Sequence, residues 1–367
     1  MRVLLLLAFA PAAALAAGCG HGSGSFSTFP PGGGIFFAVA PPPIAPDRTF
    51  HTATLLDDGK VLIVGGAGAA GPVAQAERFT TSLFGFEPAG TLATPRLKHT
   101  ATLLKSGRVL VTGGEGAAPA LGSAEIWDPA MSAFLPASGT LFAARRSHTA
   151  TRVDGGFVVI AGGEGGSGAP IGTFERFDPA TAAFQAAGTL KVARTRHTAT
   201  FTVDHEVLLA GGFDALGNPI GSVEIYDPSS GTSRLARGGL HVPRAEHAAI
   251  ALPDGRILIA GGVGTGGGAL DSAEIYDPRN ERSANIPNRL LVARAAPRLA
   301  LLIDGRVLVT GSGQTAEIFD PSNSTFIDAG SALVNPRVNH TATRLKNGDI
   351  LLFGGAGAGA RAEIFTY

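Results

Sequence analysis

A sixteen-residue phrase recurs along this chain and limits its fold more than any other feature. HTATLLDDGKVLIVGG stands at 51–66, HTATLLKSGRVLVTGG at 99–114 and HTATRLKNGDILLFGG at 340–355. Glycine pairs close the phrase at 65–66, 113–114, 162–163, 211–212, 261–262 and 354–355, and Gly311-Ser312 fills the one gap. Five of the six intervals are 48 to 50 residues. A unit of that length cannot bury its own apolar face, so neighbouring copies must stack on it.

Each unit parses into four strands. The first, such as HTATLL, is reversed by an Asx-Gly turn, Asp58-Gly59 or Asp254-Gly255, of the kind a two-residue hairpin wants. The second, VLIVGG or ILIAGG, is apolar at successive positions, as a strand buried on both faces must be. The third is AEIWDP or VEIYDP, where Asp-Pro ends the strand in a turn. The fourth is centred on a phenylalanine and runs to Gly-x-Leu. Phe79 and Phe86, Trp127 and Phe134, Phe177 and Phe184, and Phe319 and Phe326 are each seven apart across that turn; Tyr226 and Tyr276 have Ser233 and Ser283 instead. The 52 glycines, with only 16% charged residues, suit short, tightly turned strands better than helices.

The last unit stops at AEIFTY without a fourth strand, while 34–48 ends in the same aromatic-to-arginine run as 326–337. An N-terminal strand is therefore expected to complete the last blade and close the ring, leaving no open edge. The Gly-Gly pair after an apolar strand, with two spaced aromatics behind it, resembles the kelch repeat. The resemblance covers residues 35–367 and implies an all-β, seven-bladed β-propeller of four-stranded antiparallel blades, in a style nearer bacterial and galactose-oxidase-like repeats than animal adaptor ones. Phenylalanine stands where animal repeats commonly have tryptophan at the second aromatic, so no ubiquitin-ligase role is implied.

Ahead of the ring, Arg2 precedes VLLLLAFAPAAALAAG, a stretch rich in small residues and too short for a membrane span. Leu15-Ala16-Ala17-Gly18-Cys19 resembles a bacterial lipobox, with Ala16 where leucine is usual. The resemblance implies a signal peptide over 1–18, lipidation of Cys19, a Gly/Ser/Pro-rich tether over 19–34, and a place at the outer membrane or cell surface; an ordinary secreted protein is the alternative. Cys19 is the only cysteine, so no disulfide can form within the chain.

Two charged positions recur. The junction arginines are Arg48, Arg96, Arg145, Arg194, Arg244, Arg294 and Arg337. The third strands carry Glu77, Glu125, Glu175, Glu224, Glu274, Glu317 and Glu363. A glutamate half-buried in a sheet needs a charged partner, so these are expected to pair and tie blades together. His51, His99, His148, His197, His247 and His340 begin the inner strands, with Pro297 in the sixth unit. Imidazoles on successive blades cannot converge to the ~2.0–2.1 Å of a zinc site. They are expected to hydrogen-bond backbone groups between blades, and no metal is expected.

Function is sought where the copies differ. Strand order puts the residues after Gly-Gly and those before the histidine on one face. There Lys98, Glu115, Arg146, Glu164, Arg196, Asp214 and Glu246 fall in blades two to five, a charge pattern that would suit a polar ligand at the channel mouth. Lys plus Arg, 29, balance Asp plus Glu, 29, so no net field would gather nucleic acid. The ring is expected to be a monomeric binding module for a protein or glycan, without a cofactor. A carbohydrate-active enzyme of the sugar-epimerase or mutarotase kind, using Glu115 or Glu164 with Arg146 or Arg196, is the alternative. Copper galactose-oxidase chemistry implies tyrosine and histidine ligands and a tyrosine cross-linked to cysteine, which three tyrosines and Cys19 do not supply. Sialidase turns would need a tryptophan in each repeat, and Trp127 stands alone.

Overall fold

The computed structural model describes residues 33–40, 43, 47–357 and 361–367. The leader, Cys19 and most of the tether lie outside the described residues. Seven four-stranded antiparallel sheets make up the ring. Blade one runs Thr52–Leu55, Val61–Val64, Gln75–Thr80 and Gly85–Thr91, from the channel outward. The first strands of successive blades touch one another all round, including that of blade seven, Thr341–Arg344, against that of blade one. These strands therefore wall the central channel.

Closure is as the repeat arithmetic requires. Ile35–Ala38 pairs antiparallel with Glu363–Thr366, placing Phe36 opposite Phe365 and Phe37 opposite Ile364. Gly34 N also donates to Ala329 O at 2.9 Å, so the closing strand is tied to blade six as well.

The second strands explain the core. In Val61–Val64 all four residues are buried. Period-two alternation sends Val61 and Ile63 toward Leu351, Phe353 and Ile364 of blade seven, and Leu62 and Val64 toward Val109, Val111 and Trp127 of blade two. Each apolar cluster is thus a seam between blades. The paired aromatics lie in register, Phe79 opposite Phe86 and Trp127 opposite Phe134, and Ser233 and Ser283 take the same place opposite Tyr226 and Tyr276. Trp127 Nε1 and the Tyr226 hydroxyl each reach back to a carbonyl of the preceding blade, Ala89 and Ala187, at 2.9 Å.

One local expectation is corrected. The inner hairpins have three-residue loops rather than two. Leu56 N donates to Lys60 O and Gly59 N to Leu56 O, leaving Asp57, Asp58 and Gly59 as the loop, with Gly59 at φ 88°. The glycine supplies the left-handed step that a three-residue hairpin takes after its turn.

Candidate functional site

The repeated charges serve the seams. Arg96 is fully buried and spends all five of its N–H donors. Nε donates to Thr94 O; Nη1 to Gly113 O and Ser123 O; Nη2 to Ser123 Oγ and to Glu125 Oε1 at 2.9 Å. Glu125 in turn accepts from Ala93 N and Thr94 N, on the connection from blade one to blade two. The pair is therefore internal to one repeat, and what it binds is the incoming connection. Arg48–Glu77, Arg145–Glu175, Arg194–Glu224, Arg244–Glu274, Arg294–Glu317 and Arg337–Glu363 repeat the ion pair. A planar five-donor fork explains arginine, and not lysine, at every junction.

Through Nε2 the histidines bond threonine side chains across the seam, while the backbone of the junction arginine acts on the rings of His51, His99 and His247 as well. His99 Nε2 meets Thr52 Oγ1 at 3.0 Å, His148 meets Thr100, His197 meets Thr149, His247 meets Thr198 and His51 meets Thr341, each on the preceding blade. The pair between blades five and six is lost on both sides at once, as Ala248 faces a unit that begins with Pro297. Replacing both partners leaves no buried polar group stranded. Burial, helped by the adjoining arginine, holds every one of these imidazoles well below its ordinary pKa, His99 and His247 at about 3. They are neutral parts of the wall.

The variable residues crown that wall. Phe50, Lys98, Ser147, Arg196, Glu246 and Asn339, each just before a histidine, all have φ between 52° and 55°. Six non-glycine residues held in the left-handed region mark a rim whose backbone is fixed by the ring. Ala296 is the exception, because the residue before a proline is steered to extended conformations. Backbone bonds join the crown circumferentially: Lys98 N to Phe50 O, Ser147 N to Lys98 O, Arg196 N to Ser147 O and Glu246 N to Arg196 O, at 3.0 to 3.2 Å.

On this crown the charged residues form one arc. Lys98 Nζ lies 3.1 Å from Glu115, Glu115 pairs with Arg146, and Arg146 Nε lies 2.9 Å from Glu164. Arg196 then sits 3.8 Å from Glu164 and 2.5 Å from Glu246. Six of the seven residues singled out in sequence thus meet, alternating in sign across blades two to five. Asp214 does not join them. Its carboxylate accepts from Leu216 N and Asn218 N at 2.9 Å, which closes its own turn. A short polar side chain at a loop start serves the loop, and sequence position alone concealed that.

The mouth encloses about 360 Å³, lined by the pre-histidine residues, the histidines and Arg298. Arg298 is the residue that sequence reasoning missed. The signal was present in the position after the histidine, where unit six has Pro297-Arg298 against His-Thr or His-Ala elsewhere.

The family model described as Kelch motif matches residues 194–237, which hold the start of the fourth unit through its fourth strand. No curated protein matches the chain. Among solved structures, a novel fungal alcohol oxidase of the AA5 family in complex with copper is similar at TM-score 0.70 and 17% identity, over 91% of this chain and 76% of that one. The likeness is one of fold. A copper centre does not fit the residues here: Tyr226 and Tyr276 lie buried in the seams on third strands, while each wall histidine already holds a threonine. Among the described residues no three His, Cys, Asp or Glu side chains gather as a metal site. The chain is a seven-bladed β-propeller, and the Kelch motif is matched in its fourth unit.

Proposed function

We propose that this propeller is a binding module that presents the charged crown and the channel mouth to a polar ligand or partner, a glycan or an envelope protein. The observation that carries this reading is the continuous arc from Lys98 to Glu246, in which Lys98, Arg196 and Glu246 stand on backbone held in the left-handed region. A rigid array of alternating charges selects partners by complementarity, and holding it rigid in advance saves ordering entropy on binding.

The arc also weighs against the carbohydrate-active enzyme. Glu115 and Glu164, the carboxylates that chemistry would need, are both committed to Arg146. A general acid or base must face a substrate proton within about 2.6–3.2 Å. Groups engaged in a shared ion-pair chain on an open rim serve recognition better.

Export and anchoring through Cys19 complete the proposal, on the strength of the lipobox resemblance. The test of the anchor is labelling with a fatty-acid analogue, with Cys19→Ser abolishing incorporation. Binding is tested with a glycan array and a panel of purified envelope proteins, probed with the full chain and with Glu164→Gln. A ligand that the parent binds and the variant loses, at unchanged melting temperature, supports the crown. Equal binding by both places recognition elsewhere.

A further inference from the structure

Three departures from the repeat converge at the seam between blades six and seven: Pro297 for histidine, Arg298 for threonine, and Ser312 for the second glycine. Their consequences can be followed. His340, finding no threonine at position 298, turns its Nε2 to Thr310 Oγ1 at 2.8 Å. Arg298 Nε donates to His340 O at 2.8 Å and Nη1 to Pro297 O at 2.9 Å. With a longer bond from Nη1 to Ala296 O at 3.4 Å, they fix the guanidinium against the wall.

The remaining nitrogen is uncommitted. Nη2 of Arg298 meets no protein acceptor among the described residues, and it is not sealed from the channel. Nor does any carboxylate of the described residues form an ion pair with Arg298. Glu246 acts on it from a distance and is itself held by Arg196. Lys98, Arg196 and Arg298 line the mouth with Glu246 as the one carboxylate, and with the rest of the crown arc, Arg146 against Glu115 and Glu164, four positive charges stand against three negative. The wall histidines add none, so one positive charge is left over.

The connection after the inner hairpin is also short on this side. Gly311 to Glu317 spans six residues, against twelve from Gly113 to Glu125 and thirteen from Gly261 to Glu274. Ala296 carries no side chain beyond Cβ, and Asn339 and the part-exposed ring of Phe50 complete this flank.

We infer that Arg298 is an anion-binding residue, taking a carboxylate oxygen of a small organic acid at the channel mouth. A guanidinium stays protonated even where burial works against it, and a charge-assisted bond to a carboxylate is about twice as strong as a neutral one. The three wall bonds hold the donor in place before the ligand arrives. The mouth, at about 360 Å³, lies near the lower end of ligand sites, which run roughly 300–1,000 Å³. That sets the ligand at the size of a short organic acid or a uronic acid. The inference rests on the reading of the mouth as a binding face and adds the ligand's charge.

Calorimetric titration of the full chain with acetate, malate and glucuronate, and with glucose as the uncharged match to glucuronate, tests it. Arg298→Thr restores the residue that most inner strands carry and returns to His340 its usual partner, so the variant should melt at or above the parent temperature. Arg298→Gln guards against an unforeseen rearrangement. At least one carboxylate should bind the parent, glucose should bind at least about tenfold more weakly than glucuronate if glucuronate is the one, and both variants should lose about tenfold or more in affinity. The inference is overturned if no carboxylate binds below about 10 mM, if glucose matches glucuronate, or if the variants bind as the parent does. A glycan or protein ligand lost on Glu164→Gln would leave the crown standing even then, so the two readings fail separately.

Discussion

Six neutral imidazoles buried in one ring give the protein a sharp acid limit. In the unfolded chain each histidine titrates near its ordinary value of ~6.5. In the folded ring, desolvation and the neighbouring arginine hold His99 and His247 at about 3, and His51, His148, His197 and His340 are displaced in the same direction. Between these values the unfolded chain binds protons that the folded ring refuses. Stability is therefore intact above ~6.5 and lost as pH falls through it toward the folded value. Each such group contributes a slope of about 1.4 kcal/mol per pH unit, and six acting together give about 8 kcal/mol per unit between roughly pH 5.5 and 4.5. A domain holds only ~5–15 kcal/mol in all. The ring should thus unfold within one to two units below pH 6.

The assay is urea unfolding followed by circular dichroism at half-unit steps from pH 7.5 to 4.5. Glu274, a buried junction carboxylate, is held below its ordinary value: burial pushes it up, but the Ser283 hydroxyl, two backbone N–H groups and Arg244 outweigh that. Its contribution is lost only below the unfolded carboxylate range of ~4.3. His99→Gln should reduce the slope by about 1.4 kcal/mol per pH unit while leaving a donor for Thr52. A slope under about 2 kcal/mol per unit in the parent, the worth of one or two groups, would refute the picture of six excluded protons.

Breaking one junction pair should be costly and asymmetric: Glu175→Gln strands the fully buried Arg145 guanidinium and should lower stability by about 3–5 kcal/mol, whereas Arg145→Met with Glu175→Leu should cost less than either single change, read by thermal melting. The two kinds of left-handed glycine should separate in the same assay. Gly113→Ala puts a Cβ at 2.5 Å from Arg145 O across the seam and should cost well over the ~1–2 kcal/mol of left-handed strain alone, while Gly168→Ala, at φ 82° with nothing within 4 Å, should cost about that strain. Truncation before residue 39 removes the closing strand and bares Glu363–Thr366; the shortened chain should melt lower and self-associate on size-exclusion chromatography, and a monomer of parental stability would contradict ring closure by Ile35–Ala38.

The ring itself was legible because repetition states it many times over. The apolar second strand, the glycine pair and the seven-residue aromatic spacing each translate into one register, and the missing fourth strand after AEIFTY points to its replacement at 34–48. The junction pairs were legible for a different reason, since a buried charge needs a partner and one glutamate recurs at the same place in every third strand. What the sequence withheld was the order of contacts between blades. Lys98, Glu115, Arg146, Glu164, Arg196 and Glu246 are spread over 149 positions of chain, 98 to 246, and nothing along it tells that each reaches the next. That depends on how closely neighbouring blades bring the starts of their inner strands. Asp214 sits among them by position and drops out by chemistry, because its own loop offers it N–H groups first.

Arg298 shows which kind of exception matters. The residues before the histidine vary freely, so a charge there is weak news; the residue after it is threonine in five units and alanine in one, and an arginine there breaks a near-constant. Its arrival required other changes. The histidine of its own unit is gone, so the wall has room, and the histidine of the next unit has found Thr310. A charge introduced for no purpose would have been neutralised by a carboxylate placed within reach, as Glu115 and Glu164 neutralise Arg146. Here the compensations satisfy the neighbours' hydrogen bonds and leave the charge itself open toward the mouth. That asymmetry is what a ligand-binding cation looks like against a background of self-satisfied repeats.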